Sequence, residues 1–342
     1  MAKKQQDQCW IGVDLGGTKI LSAVYDQEFQ YLGSKRLRTQ SERGCEVVIE
    51  RLIRTIQEAL EKTEVSVDRL AGIGIGCPGF VDMKTGLVHE CVNLGWKDIH
   101  LGKTVQDHFD CPIYLLNDVD AGVYAEHRFG AASGADNVLG VFPGTGIGGG
   151  AVVQGSIVRG PKITAMEIGH VNVVEDGLPC GCGKRGCLET VASRLAIASA
   201  AASACYRGQA PYLAATTGTH VKDIRSGILA KAIEEGDQII EEIILNACKY
   251  LGIVIANYIN LLVPEVVVLG GGLVEAMPQL FVKNITRTAK QHVLPVYRDS
   301  FRVAAASLGD YATAMGAACW AAHKGQAAPF KVSQDPVTGM EN

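Results

Sequence analysis

Two stretches of this chain follow the same pattern. IGVDLGGTKILSAV (residues 11–24) and LGVFPGTGIGGGAVV (139–153) each place an apolar strand before a glycine-rich turn and a second apolar strand after it. Repetition of this kind indicates two similar structural halves. A chain of 342 residues is long enough for two domains, each with a buried core. The repeat therefore predicts a two-lobed α/β protein.

Helical and strand patterns alternate along the rest of the chain. Apolar residues recur at helical spacing in several segments, and short apolar runs bounded by glycine, proline or asparagine indicate strands. The predicted helices are 45–63, 120–132, 241–264 (ending at Pro264) and 310–323. The predicted strands are 9–16, 20–26, 31–38, 70–79, 112–118, 137–144, 151–158 and 266–272.

Composition and charge limit the classes of partner. A net charge of −4 gives no general attraction to nucleic acid or to an anionic membrane. No apolar run is long enough to span a bilayer, and MAKKQQDQ lacks the apolar centre of a signal peptide. Eight of the 11 cysteines are scattered, several of them within apolar runs, which favours free thiols in a reducing cytoplasm.

The glycine-rich turns are candidate phosphate-binding loops. Glycines allow backbone N–H groups to turn towards an anion without clashes from Cβ atoms. DLGGTK supplies Asp14, Gly16, Gly17, Thr18 and Lys19, and Asp14 is placed to hold Mg²⁺ through water. GTGIGGG supplies Gly144, Thr145, Gly146 and Gly148. The alternative for each loop is a tight hairpin turn without a ligand.

Two other nucleotide-binding motifs fail on context. Gly144, Gly146 and Gly149 satisfy GxGxxG, but a dinucleotide site needs a helix next, and AVVQGSIV reads as a strand. The GKT at residues 102–104 resembles the end of a P-loop, but Lys97 stands where its first glycine belongs.

A metal-binding pattern lies near the middle of the chain. His170 precedes Cys180, Cys182 and Cys187 in GHVNVVEDGLPCGCGKRGC. One histidine and three thiols form a complete tetrahedral zinc set, which indicates a structural site. Glu167 and Glu189 flank the pattern and are candidate ligand-binding carboxylates. A core histidine without metal is the alternative for His170.

Asp118 is the candidate general base. It follows Asn117 at the end of the predicted strand PIYLLND, and α/β proteins place reactive groups at the carboxyl ends of strands. The alternative is that Asp118 caps the following helix, a role that Asp and Asn both favour. Asp120 is expected to take the capping role and leave Asp118 available.

The motifs DLGGTK, GCPGFVD, LLND, PGTGIGGG, EIGH and CGCGKRGCLE occur in the order found in sugar kinases of the ROK family, which the chain resembles from Trp10 to about Trp320. The resemblance implies an actin-like ATPase (ribonuclease H-like) fold, with duplicated β-β-β-α-β-α units and a cleft between two lobes. It also implies transfer of the γ-phosphoryl group of ATP to a hexose, usually at the 6-hydroxyl.

The same resemblance assigns residue roles. Asp118 is the base, and ATP is bound by the two glycine turns together with Gly271. Zinc is bound by His170, Cys180, Cys182 and Cys187. The hexose is bound by Gly79, Asn93, Asn117, Asp118, Glu167, His170 and Glu189. The family usually has asparagine where this chain has Asp120, and the added carboxylate is expected to raise the pKa of one member of the Asp118–Asp120 pair.

The expected lobes are residues 8–118 with 308–326 and residues 119–307 with the zinc loop, followed by a disordered tail at 327–342. The leading hypothesis is a cytoplasmic glucokinase that forms a homodimer or homotetramer. N-acetylglucosamine, N-acetylmannosamine or fructose as the hexose, and ADP or polyphosphate as the donor, stay open. The alternatives of another class are a non-catalytic sugar sensor and a sugar-responsive repressor, although only about eight residues precede the first strand, too few for a DNA-binding domain.

Overall fold

The computed structural model describes residues 8–63, 65–161 and 164–323. The predicted tail at 327–342 lies outside these ranges. The chain divides into two compact units: unit 1 comprises residues up to Gly134, Ala151–Ala165 and the chain from Ser307, and unit 2 comprises Ala135–Gly150 and Met166–Ala306. No helix in the described ranges is long and apolar enough to cross a membrane.

Unit 1 is built on a five-stranded sheet of order β3-β2-β1-β4-β8. The first three strands are antiparallel, and β4 and β8 are added in parallel. A three-stranded sheet, β5-β6-β7, follows the CPG turn and was not predicted. The elements are β1 (Cys9–Leu15), β2 (Lys19–Tyr25), β3 (Tyr31–Arg38), α1 (Cys45–Thr63), β4 (Leu70–Cys77), β5 (Phe80–Asp82), β6 (Leu87–Cys91), β7 (Trp96–Ile99), α2 (Leu101–Gln106), β8 (Ile113–Asn117) and α3 (Asp118–Phe129).

The second five-stranded sheet repeats this topology in the order β11-β10-β9-β12-β13, with β12 parallel to both β9 and β13. The third, second, first, fourth and fifth strands are therefore neighbours in both sheets, which confirms the predicted duplication. The elements are β9 (Val138–Pro143), β10 (Ile147–Val153), β11 (Ser156–Ile157), α4 (Glu189–Ala192), α5 (Arg194–Tyr206), α6 (Pro211–Thr217), α7 (Ser226–Glu234), α8 (Gln238–Leu262), β12 (Val266–Leu269), α9 (Gly272–Ala276), α10 (Pro278–His292) and β13 (Arg302–Ala305).

Burial follows the sequence periodicity in the long helices. Helix α1 buries Val48, Leu52 and Ile56 at helical spacing, and each such side chain contributes about 1.5–3 kcal/mol when removed from water. Helix α8 ends before Pro264, as predicted, because Val263 adopts a left-handed conformation at its C-terminus.

The prediction of a single strand over 151–158 is wrong. Strand β10 ends at Val153, and the chain reverses through Gln154 (φ 51°) and Gly155 (φ 73°) into β11. Two successive residues with positive φ make the tight turn that matches the twist of a hairpin. The glutamine hid this turn, because it is not a typical residue for a positive φ.

Helix α11 (Ala312–Ala322) belongs to unit 1 and packs closely on its sheet through glycines. A Cβ on Gly12 of β1 would overlap the carbonyl oxygen of Ala314, and a Cβ on Gly74 of β4 would overlap that of Ala317. On the other side of the helix, Gly316 lies against the carbonyl oxygen of Ala121 in α3. These approaches hold α3, which begins at Asp118, against the helix and sheet that support it.

The compact units differ from the expected lobes at residues 119–134 and 151–165, which belong to unit 1. Residues 119–134 join unit 1 because α3 packs on α11, where the rings of Tyr124 and Trp320 meet edge to face at 5.5 Å.

Candidate functional site

The predicted site residues form one group in each unit. Unit 1 holds Asp14, Gly16, Gly17, Thr18, Lys19, Gly79, Asn93, Asn117 and Asp118. Unit 2 holds Gly144, Thr145, Gly146, Gly148, Glu167, His170, Cys180, Cys182, Cys187, Glu189 and Gly271.

The first glycine turn joins β1 to β2. The N–H of Gly16 donates to the carbonyl of Lys19 at 2.9 Å, which closes the turn. Thr39 braces it from outside: its backbone N–H donates to the carbonyl of Thr18 at 3.0 Å, and its hydroxyl donates to that of Gly16 at 2.6 Å. Gly17 and Thr18 stay at the surface, so the turn is rigid and accessible, as a phosphate-binding loop needs.

Asp14 lies at the end of β1, beside this turn. The pKa of its carboxyl is raised to about 7, first by desolvation and then by the Asp118 carboxylate, while the Lys19 ammonium opposes both. Asp14 and Asp118 therefore share one anionic region at the carboxyl ends of β1 and β8. A hard cation would be favoured there because it offsets the repulsion between the two carboxylates.

Lys19 has a partner that was not predicted. Its ammonium lies 2.8 Å from Oδ2 of Asp310, and Nη2 of Arg36 lies 2.9 Å from the same oxygen. The pKa of Asp310 is lowered by its hydrogen bond to Lys19 and by Arg36. Asp310 lies about 290 residues from the glycine turn along the chain, so nothing local in the sequence pointed to it.

Asn117 caps helix α3. Its Oδ1 accepts hydrogen bonds from the N–H groups of Val119 at 2.8 Å and Asp120 at 3.2 Å, and its Nδ2 donates to the carbonyl of Gly79 at 3.1 Å. The prediction that Asp120 takes the capping role is wrong, because the cap is Asn117 and Asp120 is the third residue of the helix, where it is only 1% exposed. Asp118 is the first helical residue, half-buried, with Oδ1 3.0 Å from the N–H of Val119.

Gly79 and Asn93 lie close to these groups in unit 1. Gly79 has φ of 90°, and a Cβ there would overlap the carbonyl oxygen of Glu90. The position therefore requires glycine, and its carbonyl is what fixes Asn117. Asn93 is exposed on a short 3₁₀ helix, Val92–Leu94, and its Cβ would lie 3.5 Å from a Cβ on Gly17 of the first turn.

The second glycine turn joins β9 to β10. It is closed by a 2.8 Å hydrogen bond from the Gly144 N–H to the Gly146 carbonyl. Thr145 is exposed at its tip, and Gly148 lies within β10 rather than in the turn. A strand follows Gly146, whereas a dinucleotide-binding GxGxxG turn leads into a helix.

Three residues hold this second turn. Oε2 of Glu189 accepts from the N–H of Ile147 at 3.0 Å. The N–H of Arg194 donates to the carbonyl of Gly144 at 2.8 Å, and its Nη2 donates to Oγ1 of Thr145 at 3.0 Å. Gly271, with φ of 82°, packs beside the Pro143 carbonyl that precedes the turn. No sequence motif pointed to Arg194.

His170, Cys180, Cys182 and Cys187 converge, with their ligand atoms all within 4.8 Å of one another. Sγ of Cys180 lies 3.6 Å from Nδ1 of His170, and Sγ of Cys182 lies 3.7 Å from Sγ of Cys187, so none of the thiols is joined in a disulfide. The four residues form a Cys₃His cluster that can hold a metal ion.

Glycines determine the path of the cysteine loop. Gly183 (φ 86°) and Gly186 (φ 74°) adopt positive φ, and a Cβ on Gly186 would overlap the Val174 carbonyl oxygen. The N–H of Cys180 donates to the carbonyl of Lys184 at 2.8 Å, which closes the tight turn between the cysteines. The loop can therefore bring three thiols together only because these positions lack side chains.

The EIGH segment forms a short 3₁₀ helix, Ile168–His170, beside β10. Gly169 and Gly149 make the approach possible, because Cβ atoms there would collide with Ile147 and with Ile168 and Met166. Glu167 begins this turn, next to His170.

Glu167 is surrounded by polar groups of unit 2. Desolvation raises the pKa of its carboxyl, Glu189 raises it further, and His170 lowers it. Burial raises the pKa of the Tyr258 phenol on α8, and the charge of Glu167 raises it further. Tyr258 was not predicted as a site residue, because it lies in a long helix whose sequence is mostly apolar.

Comparison with known proteins gives a consistent result. A model of the ROK family matches residues 10–324. A glucokinase of Halalkalibacterium halodurans is 34% identical over 315 residues, covering 91% of this chain and 94% of that protein. A ROK family glucokinase from Streptomyces griseus, solved in complex with glucose and AMPPNP, has a TM-score of 0.79 at 30% identity and covers 91% of this chain and 98% of its own.

Repressors are also among the relatives. A xylose repressor of Bacillus spizizenii is 29% identical and covers 90% of this chain but 75% of the repressor. This chain therefore matches nearly all of the glucokinase and three quarters of the repressor.

Proposed function

The chain belongs to the ROK family, and from this we propose that it is an ATP-dependent hexose kinase that converts glucose to glucose 6-phosphate. The observation that carries the proposal is the placement of Asp118 in unit 1: a half-buried carboxylate at the carboxyl end of β8, beside Asp14 and the first glycine turn. The match over nearly the whole length of two glucokinases supports it.

Asp118 accepts the proton in this reaction. The 6-hydroxyl oxygen of the sugar attacks the γ-phosphorus, the bond from that phosphorus to the β–γ bridging oxygen breaks, and ADP leaves. The hydroxyl proton passes to the Asp118 carboxylate, an effect worth about 10²–10⁴ in rate. Asn117 fixes the start of α3, so the carboxylate is held rather than swinging freely.

The proposed phosphate donors are, in unit 1, the N–H groups of the first glycine turn and the Thr18 hydroxyl, and, in unit 2, the N–H groups of the second glycine turn and the Thr145 hydroxyl. Asp14 would hold Mg²⁺, whose charge neutralises the triphosphate in such reactions. Asp14 fits that ion, because its carboxylate is desolvated and repelled by the Asp118 carboxylate, and a bound cation would offset both effects.

The proposed hexose ligands of unit 1 are Asn93, Asn117 and the Gly79 loop, and those of unit 2 are Glu167, His170 and Glu189. Sugars are neutral and dense in hydroxyl groups, so carboxylate acceptors and amide or imidazole donors suit them. Glucose is favoured over N-acetylhexosamines and fructose because the relatives of similar length are glucokinases.

Zinc in the Cys₃His cluster is the second part of the proposal. A tetrahedral zinc ion with ordinary bond lengths separates two sulfurs by about 3.8 Å and a sulfur from a nitrogen by about 3.6 Å. The separations of 3.7 Å and 3.6 Å fit those values. Four protein ligands leave no open position, so the ion acts as a structural clamp, and binding through Nδ1 leaves Nε2 of His170 for the sugar.

We further propose a cytoplasmic homodimer or homotetramer. The eleven cysteines are all unpaired, which fits a reducing compartment.

An ADP-release assay over a hexose panel tests the proposed function. With Mg-ATP, we expect turnover with glucose and a fall of about 10²–10⁴ in kcat for Asp118→Asn. Asp107→Asn, at an exposed end of α2, is the matched control and should keep wild-type activity. Turnover with ADP or polyphosphate in place of ATP would show that the enzyme uses a different phosphoryl donor.

Two outcomes would overturn the proposal. Wild-type kcat in Asp118→Asn would remove Asp118 as the base. No turnover with any hexose, combined with sequence-dependent retention of DNA in a gel shift, would favour the repressor seen among the relatives.

A further inference from the structure

Arg194 joins the second glycine turn to helix α5. It is the first residue of that helix, and it donates from its backbone to Gly144 and from its guanidinium to Thr145. It lies outside the motifs that define the rest of the site. The turn itself, GTG, carries no charged side chain, so Arg194 is the cation in direct contact with it.

The direction of this hydrogen bond determines what Thr145 can do. A guanidinium only donates, whereas a hydroxyl has one hydrogen to donate and two lone pairs to accept. Arg194 therefore occupies a lone pair of Oγ1 at 3.0 Å, and the Thr145 hydrogen must point to another acceptor. A hydroxyl that accepts from a cation is also a stronger donor, because hydrogen bonds in a chain polarise one another.

The backbone of Arg194 is held firmly enough to impose this geometry. Ser193, only 2% exposed, caps α5 by accepting from the N–H of Ala196 at 3.2 Å. The Ser193 N–H donates to the carbonyl of Glu189 at 3.3 Å, and the Glu189 carboxylate binds Ile147 on the far side of the turn. The segment from Glu189 to Arg194 therefore grips the turn from both ends.

We propose that Arg194 is a positioning residue for the nucleotide: it orients and polarises the Thr145 hydroxyl so that this group donates to a phosphate oxygen of ATP. The inference rests on the proposed kinase function and adds a residue to it. Arg194 acts through Thr145, so the two side chains should contribute as one unit.

Nucleotide binding, measured by calorimetry with Mg-AMPPNP on the full chain, tests the proposal. Losing one hydroxyl–phosphate hydrogen bond should raise the Kd about tenfold in Arg194→Gln and in Thr145→Val. The double variant should bind no more weakly than either single variant, because both break one chain of contacts. Glucose binding should change by less than about twofold.

Matched variants separate positioning from a general loss of charge or of structure. Arg207→Gln removes a charge just beyond the other end of α5 and should leave the Kd unchanged. Thr145→Ser keeps the hydroxyl and should recover most of the nucleotide affinity. Equal weakening of glucose and nucleotide binding in Arg194→Gln would mean a merely structural residue and would overturn the proposal.

If the losses of nucleotide affinity add in the double variant, the guanidinium contacts the phosphate directly rather than through Thr145, which would also overturn the proposal. Unchanged nucleotide binding in Arg194→Gln, in a chain that still phosphorylates glucose, would remove this inference and leave the proposed function intact. A wild-type chain that neither binds Mg-AMPPNP nor turns over any hexose would instead refute the proposed function.

Discussion

At the scale of single residues, Asn117 and Asp118 divide two roles that the sequence left ambiguous. Both residue types favour the start of a helix, so either could have been the cap. The structure gives that role to Asn117, whose amide also binds Gly79, and places Asp118 one position later. The choice between Asn117 and Asp118 as the N-cap depends on the backbone angles at the end of β8. Those angles are determined by packing.

Asp14 should make stability depend on pH. Its pKa is raised from 3.8 to about 7, so the folded state holds the proton more tightly than the unfolded chain. The associated stability is complete below about pH 3.8 and is lost as the pH rises through about 7. Without metal or nucleotide, Asp14→Asn should therefore exceed wild type in stability above pH 7, by up to about 4 kcal/mol.

Urea unfolding in EDTA at several pH values measures this difference. Asp107→Asn, with an exposed carboxylate, should follow wild type throughout. A constant difference between Asp14→Asn and wild type from pH 4 to pH 8 would contradict the assigned pKa.

At the scale of elements, glycines decide which segments can touch. Sequence periodicity predicted α1 from Cys45 to Thr63 and α8 up to Pro264, because each helix has an apolar face that must be buried. Periodicity did not reveal the β10–β11 turn or the sheet of β5, β6 and β7, whose strands are only three to five residues long. Such short elements are stabilised by their neighbours rather than by their own pattern.

Gly316→Ala should weaken the contact of α11 with α3. The added methyl group would overlap the Ala121 carbonyl, and overpacking of this kind costs about 1–3 kcal/mol. Because α3 begins at Asp118, kcat should fall as well. Gly227→Ala in α7 is the control: nothing lies within 4 Å of its Cβ, and it should be neutral or stabilising. Equal urea midpoints for Gly316→Ala and wild type would show that α3 and α11 can move apart to admit the methyl group without a loss of stability.

Cys182→Ser, or removal of metal by a chelator, should loosen the cysteine loop. The wild-type chain should contain about one zinc ion and the variant almost none, because metal binding at such a site is coupled to local folding. Hydrogen exchange should become faster over residues 171–188, and the KM for glucose should rise through Glu189. Cys45→Ser lies outside the cluster and should keep the metal. Full metal content in Cys182→Ser would exclude the assigned ligand set.

At the scale of the whole molecule, one buried carboxylate ties together distant parts of unit 1. Glu126 of α3 is fully buried and accepts from the N–H of Ala131, the N–H and hydroxyl of Ser307, and the N–H of Leu308. The chain returns from unit 2 to unit 1 at Ser307. The carboxylate therefore fixes this return segment to the helix that carries Asp118.

Glu126→Gln should destabilise the protein by at least about 2 kcal/mol, because an amide NH₂ replaces one oxygen where every partner is a donor. Hydrogen exchange at residues 305–309 should rise most. Glu61→Gln, exposed on α1, is the control. If Glu126→Gln has the same urea midpoint as Glu61→Gln and wild type, the four hydrogen bonds of Glu126 do not stabilise the return segment at Ser307.

The sequence by itself determined the duplicated architecture, the two glycine turns, the Cys₃His set and the candidate base. These features are local: a strand pattern, a run of glycines or closely spaced cysteines constrains its own segment wherever the segment lies. Only the tertiary structure decided that Asp310 pairs with Lys19, that Arg194 and Glu189 grip the second turn, and that Glu126 holds Ser307. Those contacts join segments far apart in the chain, and their partners are chosen by packing, which no local pattern encodes.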